Sequence, residues 1–380
     1  MQTHNSYKHL FEIDNDITYL NCAMMSPLLK SVKEAGIKAL EKRAKPWKLT
    51  ERDWFDDAEI LRGKAAKIFQ TSENNIALIP SVSYGLATAA KNIFMASPKL
   101  KAGKSIIVVE DQFPSNFYVW DNLSKQQDLK LITIKKENDK ILTDSILENI
   151  NSKTGIVAVP NCHWIDGSLI DLEKISEAVK SVGAYLALDL SQSLGVLPIN
   201  INKIDPDFAV AVGYKWMLGP YSLGYMYVSP KRQDKGEPLE YNWSTRKGSD
   251  DFSKLTGYVS EYLAGARKFD MGESAQFNIL QMSIAALDQI LQWGVENIQS
   301  SIKILTDKIS ENLSNNYEKP LTPHAGHLMA VPIGTRDKEL LKKRFKEKKI
   351  FVSFRGTSIR IAPHLYNDAS DIDRLLECLD

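Results

Sequence analysis

Tyr185-Leu186-Ala187-Leu188-Asp189 and, further along, Phe208-Ala209-Val210-Ala211-Val212-Gly213-Tyr214-Lys215-Trp216 are short apolar runs that each lead into one charged residue. Neither run alternates apolar with polar, so each reads as a strand buried on both faces. Runs of the same kind occupy residues 76–80, 105–110, 129–134, 155–160 and 223–228. Helix-like patterns such as residues 172–182 lie between several of them. This alternation predicts an α/β domain around a seven-stranded, mostly parallel sheet. In such sheets ligands bind beyond the carboxyl ends of the strands. Asp189 and Lys215 both fall there.

After about residue 274 the texture changes. A long helix is expected over 276–293 and another over 302–313. β-like pieces at 327–332, 351–354 and 358–362, with a helix over 340–349, suggest a smaller α+β domain. The division expected is 16–274 for the large domain and 275–380 for the small one, with residues 1–15 packing on the latter. The basic residues of 342–349 read as the solvated face of a helix whose inner stripe is Leu340, Leu341 and Phe345.

Composition narrows the class. The 380 residues are 43% hydrophobic and 25% charged, with a net charge of +1. These are ordinary values for a globular chain, and nothing points to a nucleic-acid or membrane partner. Cys22, Cys162 and Cys378 lie far apart and form no CxxC pair. A reducing cytoplasm is the expected setting. Met1-Gln2-Thr3-His4-Asn5 does not read as a signal peptide. No apolar run approaches membrane-helix length. The histidines show no metal-binding spacing, so no metal is expected.

A lysine and an acid at neighbouring strand ends suit pyridoxal 5'-phosphate (PLP). The lysine holds the aldehyde as a Schiff base and the acid keeps the pyridine nitrogen protonated. The other reading of an acid after a buried strand, a helix cap, is the weaker one for Asp189. Gln192, one turn on, is placed to donate to the ring oxygen. Ser81-Val82-Ser83-Tyr84-Gly85 follows a strand and opens a helix; such a turn binds phosphate or simply caps the helix. Phe113, after the 105–110 strand, is set to stack on the ring or to fill core. Asn161 is placed for the phenolic oxygen, and His163 and Trp164 for the substrate pocket, although His163 serves as well in a structural role. Arg360 sits between Ile359 and Ile361, where an arginine wants an anion. An α-carboxylate suits its planar fork, and an intradomain salt bridge is the other reading. Arg355 is a second candidate anion contact.

These pieces, in this order, resemble the class V aminotransferase family of fold-type I PLP enzymes. That family includes cysteine desulfurases, selenocysteine lyase, kynureninase and isopenicillin N epimerase. The resemblance runs from Tyr19-Leu20-Asn21 through Ser83-Tyr84-Gly85, Asp189-x-x-Gln192 and Tyr214-Lys215-Trp216. It continues through Phe269-Asp270-x-Gly272-Glu273 to Arg360-Ile361-x-Pro363-His364. Pro114-Ser115-Asn116 and Tyr214-Lys215-Trp216 look closest to the isopenicillin N epimerase-like branch. The resemblance implies that Lys215 is the Schiff-base lysine and proton shuttle, and that Asp189 pairs with the ring nitrogen. It implies that Ser83, Tyr84 and Tyr214 hold the phosphate and that Arg360 holds the substrate carboxylate. It also implies a homodimer with sites at the subunit interface, where Glu273 and Ser274 reach the neighbouring phosphate.

Transamination or Cα–Cβ elimination of a small α-amino acid is the expected activity, with epimerisation as an alternative. Desulfuration of cysteine or selenocysteine is another, but residues 342–360 hold no cysteine where desulfurases carry their catalytic thiol. A PLP-fold protein that binds without turnover is a reading of a different class. Intact Lys215, Asp189 and Arg360 speak against it. A nicotinamide enzyme would need a GxGxxG after a strand, and none is present.

Overall fold

The computed structural model describes residues 6–96, 100, 103–137, 140–313 and 323–379. Met1–Asn5, read above for a signal peptide, lie outside the described residues.

The strands in chain order are β1 (Thr18–Tyr19), β2 (Ile76–Ile79), β3 (Ser105–Val109), β4 (Lys130–Ile134), β5 (Thr154–Pro160) and β6 (Tyr185–Asp189). They continue with β7 (Phe208–Val212), β8 (Gly224–Val228), β9 (Met329–Pro332), β10 (Ile350–Phe351), β11 (Ser353–Arg355) and β12 (Ser358–Ile361). All seven expected apolar runs form one sheet in the order β2-β8-β7-β6-β5-β3-β4. Pairing is parallel from β7 through β4, and β8 is antiparallel to both neighbours. Every residue of β2, β3, β5 and β8 is buried, as continuous apolar runs require. β4, at the edge, carries exposed Lys130, which blunts an open strand edge.

Parallel pairing of β6 with β7 decides where the charged residues go. Ala187, Leu188 and Asp189 sit opposite Phe208, Ala209 and Val210. Both strands therefore end at the same edge of the sheet, and Asp189 and Lys215 emerge beside one another. Gly213 makes the exit from β7 possible. A Cβ there would meet the Leu223 carbonyl oxygen at 2.7 Å, and the Gly213 N–H donates to that same oxygen. Leu218, in the turn beyond Lys215, holds φ at +53°. Asp111, in the loop after β3, holds φ at +52°. Non-glycine residues in this left-handed region cost roughly 1–3 kcal/mol each and persist where the surroundings over-determine them.

Helices cover both faces of the sheet. Val82–Ala96 and Ser115–Gln126 pack on one side. Lys30–Arg43, Asp56–Phe69 and Phe277–Trp293 pack together on the other. The helix expected over 302–313 starts earlier, at Val295, directly after Gly294 with φ at +77°. In the C-terminal part β11, β12 and β9 form an antiparallel sheet. The N-terminal segment runs alongside it: Thr18 and Tyr19 pair with Ile350 and Phe351, and Asn21 bridges to Ala362. The Tyr7 amide donates to the Leu365 carbonyl, and Phe11 meets Tyr366 edge-on. No helix among the described residues is long and apolar enough to cross a membrane.

Candidate active site

A cleft opens at the carboxyl edge of the sheet. Val82, Gln112, Phe113, Pro160, Trp164, Asp189, Gln192, Tyr214 and Lys215 are among the residues that line it. They come from the ends of five segments far apart in sequence. Lys215 Nζ lies 5.4 Å from the Phe113 ring centroid and 5.8 Å from that of Tyr214. Burial pushes the Lys215 ammonium down to about 8; Asp189 opposes the shift and Arg360 adds to it. Burial likewise raises the Asp189 carboxyl. One Asp189 oxygen accepts from the Ser191 amide at 2.9 Å.

Val82 opens a helix of fifteen residues, Val82–Ala96, whose first turn meets the cleft. Ser81 caps it, accepting from the Tyr84 amide at 3.1 Å, and the Ser81 and Ser83 hydroxyls are 2.9 Å apart. The Tyr84 hydroxyl is buried with no hydrogen-bond partner. Phe113 is 38% exposed and stands edge-on to Trp164, so it flanks the cleft rather than filling core. Trp164 is pinned by its indole N–H to the Asp111 carbonyl at 2.7 Å.

Arg360 is 1% exposed. One of its nitrogens, Nη1, donates to the Trp164 carbonyl at 2.8 Å, while Nε and Nη2 are buried and unpaired. Burial, with Arg355 adding, lowers it to about 10. A buried guanidinium with two idle donors wants an anion, and among the described residues no acid pairs with it as the intradomain salt bridge considered above would require.

Three expected positions differ. Asn161 faces a different cleft, with Ile141, Asp171 and Pro323, and donates to the Ile170 carbonyl at 3.1 Å. Pro160 and Cys162 face the Lys215 cleft, and alternation along an extended chain turns the residue between them away. His163 is buried and does not line the cleft. Its ring nitrogens face Asp166 and the Glu110 carbonyl, each at 3.2 Å. Burial pushes it down to about 3, so it is a neutral brace between two loops. Gln192 lines the cleft, but its amide is mostly engaged by protein. Nε2 donates to the Ala23 carbonyl at 3.0 Å and Oε1 accepts from the Trp216 indole at 2.8 Å. Glu273 is exposed and Ser274 buried, outside the lining of this cleft.

The sequence reading missed the N-terminal contribution. Cys22 is buried with its sulfur toward the Lys215 carbonyl, and the Ser26 amide donates to the Tyr214 carbonyl. It also missed His327, which contacts the Gln192 carbonyl at 2.7 Å and stacks edge-on against Trp216. These contacts join residues more than a hundred positions apart, and no local pattern announces them.

The arrangement fits PLP. It offers a buried amine of lowered basicity, a buried acid at the next strand end and an aromatic flank. It adds a helix N-terminus with hydroxyls and an unpaired Tyr84 hydroxyl. One prediction follows from the Lys215 amine. A lysine attacks an aldehyde only when neutral. Trapping of pyridoxal on the cofactor-free protein by borohydride should therefore speed up with pH through about 8 and level off above it. An ordinary lysine would keep climbing toward about 10.4. A midpoint near 10 would contradict the burial argument.

The family profile described as "Aminotransferase class-V" matches residues 50–375. An uncharacterised aminotransferase, YcbU, of Bacillus subtilis (strain 168) is 25% identical over 378 residues, covering 98% of this chain and 96% of that protein. The isopenicillin N epimerase of Streptomyces clavuligerus is 23% identical over 343 residues, covering 84% of this chain and 86% of its own. The apo cysteine desulfurase from Thermococcus onnurineus NA1 shares the fold with a TM-score of 0.83 at 19% identity, over 99% of this chain and 98% of that one. The match spans the Lys215 cleft and both flanking sheets, so this chain belongs to the aminotransferase class-V family and is an enzyme with PLP as its cofactor.

Proposed function

We propose that the enzyme acts on a small α-amino acid, removing its Cα proton for transamination or for elimination across Cα–Cβ. The observation that carries this is Lys215: a buried amine held at about 8, in the same cleft as buried Asp189. A general base works best with a pKa near the operating pH. PLP, when bound, supplies the ring that takes up charge as a bond to Cα breaks. Asp189 holds positive charge at the ring nitrogen, and Phe113 covers a ring face. Ser83, Tyr84 and the first turn of Val82–Ala96 hold the phosphate, with Tyr214 beside them. Arg360 orients the substrate through its idle donors. In this reading a second copy of the chain completes the site, with Glu273 and Ser274 near its phosphate.

Persulfide chemistry is poorly supported. All three cysteines are buried. Burial raises Cys162, which lines the cleft, to about 12, and raises Cys22 as well. A thiol held protonated is a weak nucleophile.

The test is a panel of amino acids assayed with the PLP-loaded enzyme for keto-acid exchange, pyruvate, ammonia and sulfide. Keto acid or pyruvate with ammonia is expected. A panel without any turnover, from protein that does fix pyridoxal on Lys215, would instead favour binding without catalysis. Alanine from cysteine without pyruvate, with sulfide released by an added thiol reductant, would point to desulfuration.

A further inference from the structure

Two arginines, not one, stand against Trp164, which lines the cleft. Arg355 ends β11 and Arg360 lies in β12. The strands pair antiparallel with Ser353 opposite Arg360 and Arg355 opposite Ser358. Residues opposite one another, and those two apart on one strand, share a sheet face. Arg355 and Arg360 therefore project from the same face, on a diagonal across the hairpin. Both reach Trp164: their guanidinium carbons stand 5.4 Å and 5.9 Å from its ring centroid. Trp164 in turn lines the Lys215 cleft and meets Phe113.

Neither arginine has the partner such a site demands. Among the described residues, Arg62, buried like Arg360, is held by both oxygens of Asp270, while Arg355 is half-buried. Among the described residues, neither Arg355 nor Arg360 forms an ion pair with an acid. Their polar contacts are to backbone carbonyls: Arg355 Nη1 to Phe354 at 2.9 Å and Arg360 Nη1 to Trp164 at 2.8 Å. Arg355 Nε, Arg360 Nε and Arg360 Nη2 are buried without partners. Their approach to the Trp164 ring satisfies none of these N–H donors. Arg355 also lowers Arg360, and both lower the Lys215 amine. A single α-carboxylate answers Arg360. It leaves Arg355 with a buried donor and an uncompensated charge.

We propose that the substrate is an α-amino acid with a second acidic group on its side chain, a dicarboxylic amino acid in the simplest case, and that Arg355 is the residue that selects it. The proposal rests on reading the cleft as an amino-acid site. Arg360 takes the α-carboxylate and Arg355 the distal one, with the apolar carbons between them lying against Trp164. A site built to bind a charge rejects the analogue without it, because its own donors are then left buried and unpaired.

The test uses ligands that carry no amine and so cannot react. The PLP-loaded enzyme is titrated calorimetrically with glutarate and with butyrate, which differ by the distal carboxylate. Glutarate should bind at least about tenfold more tightly. In R355Q the glutarate-to-butyrate ratio should fall to about one. Equal affinities in the unmodified enzyme would overturn the proposal, and so would a ratio that R355Q leaves unchanged. The first comparison needs no variant, so a misfolded R355Q cannot rescue the idea. Turnover of glutamate against glutamine should follow the same ratio. Borohydride fixation of pyridoxal on Lys215 is measured on the same preparations. Its absence would defeat the proposed function while leaving the glutarate ratio readable, so the two failures are distinguishable.

Discussion

Lys215→Ala should abolish the pyridoxyl group that borohydride fixes to the chain and lower turnover by about 10³-fold or more. The first effect is covalent. Peptide mapping of the reduced wild type should place the adduct on Lys215, which alone among the described lysines lines the cleft with Asp189. The second effect is loss of the base. A positioned proton acceptor contributes about 10²–10⁴-fold, and covalent anchoring of the cofactor adds to it. The variant should remain folded, because the substitution removes a charge that burial disfavours rather than a packed apolar group. Far-ultraviolet circular dichroism checks this. A small amine such as methylamine should restore part of the turnover if the lost function is chemical. Retained adduct in Lys215→Ala would place the attachment on another lysine and break the link between Asp189 and catalysis.

The sequence was legible where one physical cause acted alone. β6 is apolar up to Asp189 and β7 throughout, so their ends, and with them Asp189 and Lys215, were readable from the chain. Arg360 was readable for the converse reason: a charge between Ile359 and Ile361 is out of place unless something answers it. Side-chain direction in loops was not readable. Asn161 and His163 follow β5 as expected, yet a single-residue phase decides that Pro160, Cys162 and Trp164 meet the cleft and those two do not. Gln192 reached the cleft, but its amide is claimed by Ala23 and Trp216, and a distant backbone carbonyl leaves no mark in a local pattern. The helices Lys30–Arg43 and Asp56–Phe69 passed unassigned. The first buries only Val32, Gly36 and Ala39, which is too thin a stripe to read. Long-range docking against Phe277–Trp293, where Gly36 faces Met282, holds it in place.

Asp270→Asn should cost about 3–5 kcal/mol of stability, the largest loss expected from any isosteric change outside the cleft. Arg62 is 1% exposed. It meets Asp270 through two parallel bonds, Nη1 to Oδ1 at 3.1 Å and Nη2 to Oδ2 at 2.7 Å. Asp270 Oδ1 also accepts from the Leu78 amide at 2.8 Å, and Arg62 Nη1 donates to the Ile76 carbonyl. Burial pushes the Asp270 carboxyl up. The paired guanidinium and the Leu78 amide oppose that rise, because a protonated carboxyl could not accept all three donors on the same terms. Asparagine keeps the shape and an acceptor for Leu78. It leaves the Arg62 charge buried with only half-exposed Glu59 in reach, at 3.1 Å from Nε. The reach of the damage follows from the elements joined. Ile76 and Leu78 belong to β2, which leads directly into the Ser81–Tyr84 turn, and Asp270 leads into Gly272-Glu273-Ser274. Loosening this pair should therefore weaken PLP retention as well as lower the urea midpoint. Replacing both members with apolar residues, Arg62→Met with Asp270→Leu, should recover much of the stability, since desolvation of two charges is then avoided. A loss below about 1 kcal/mol in Asp270→Asn would mean that water or Glu59 already screens Arg62, and that the pair does not fix β2 to the segment after Phe269.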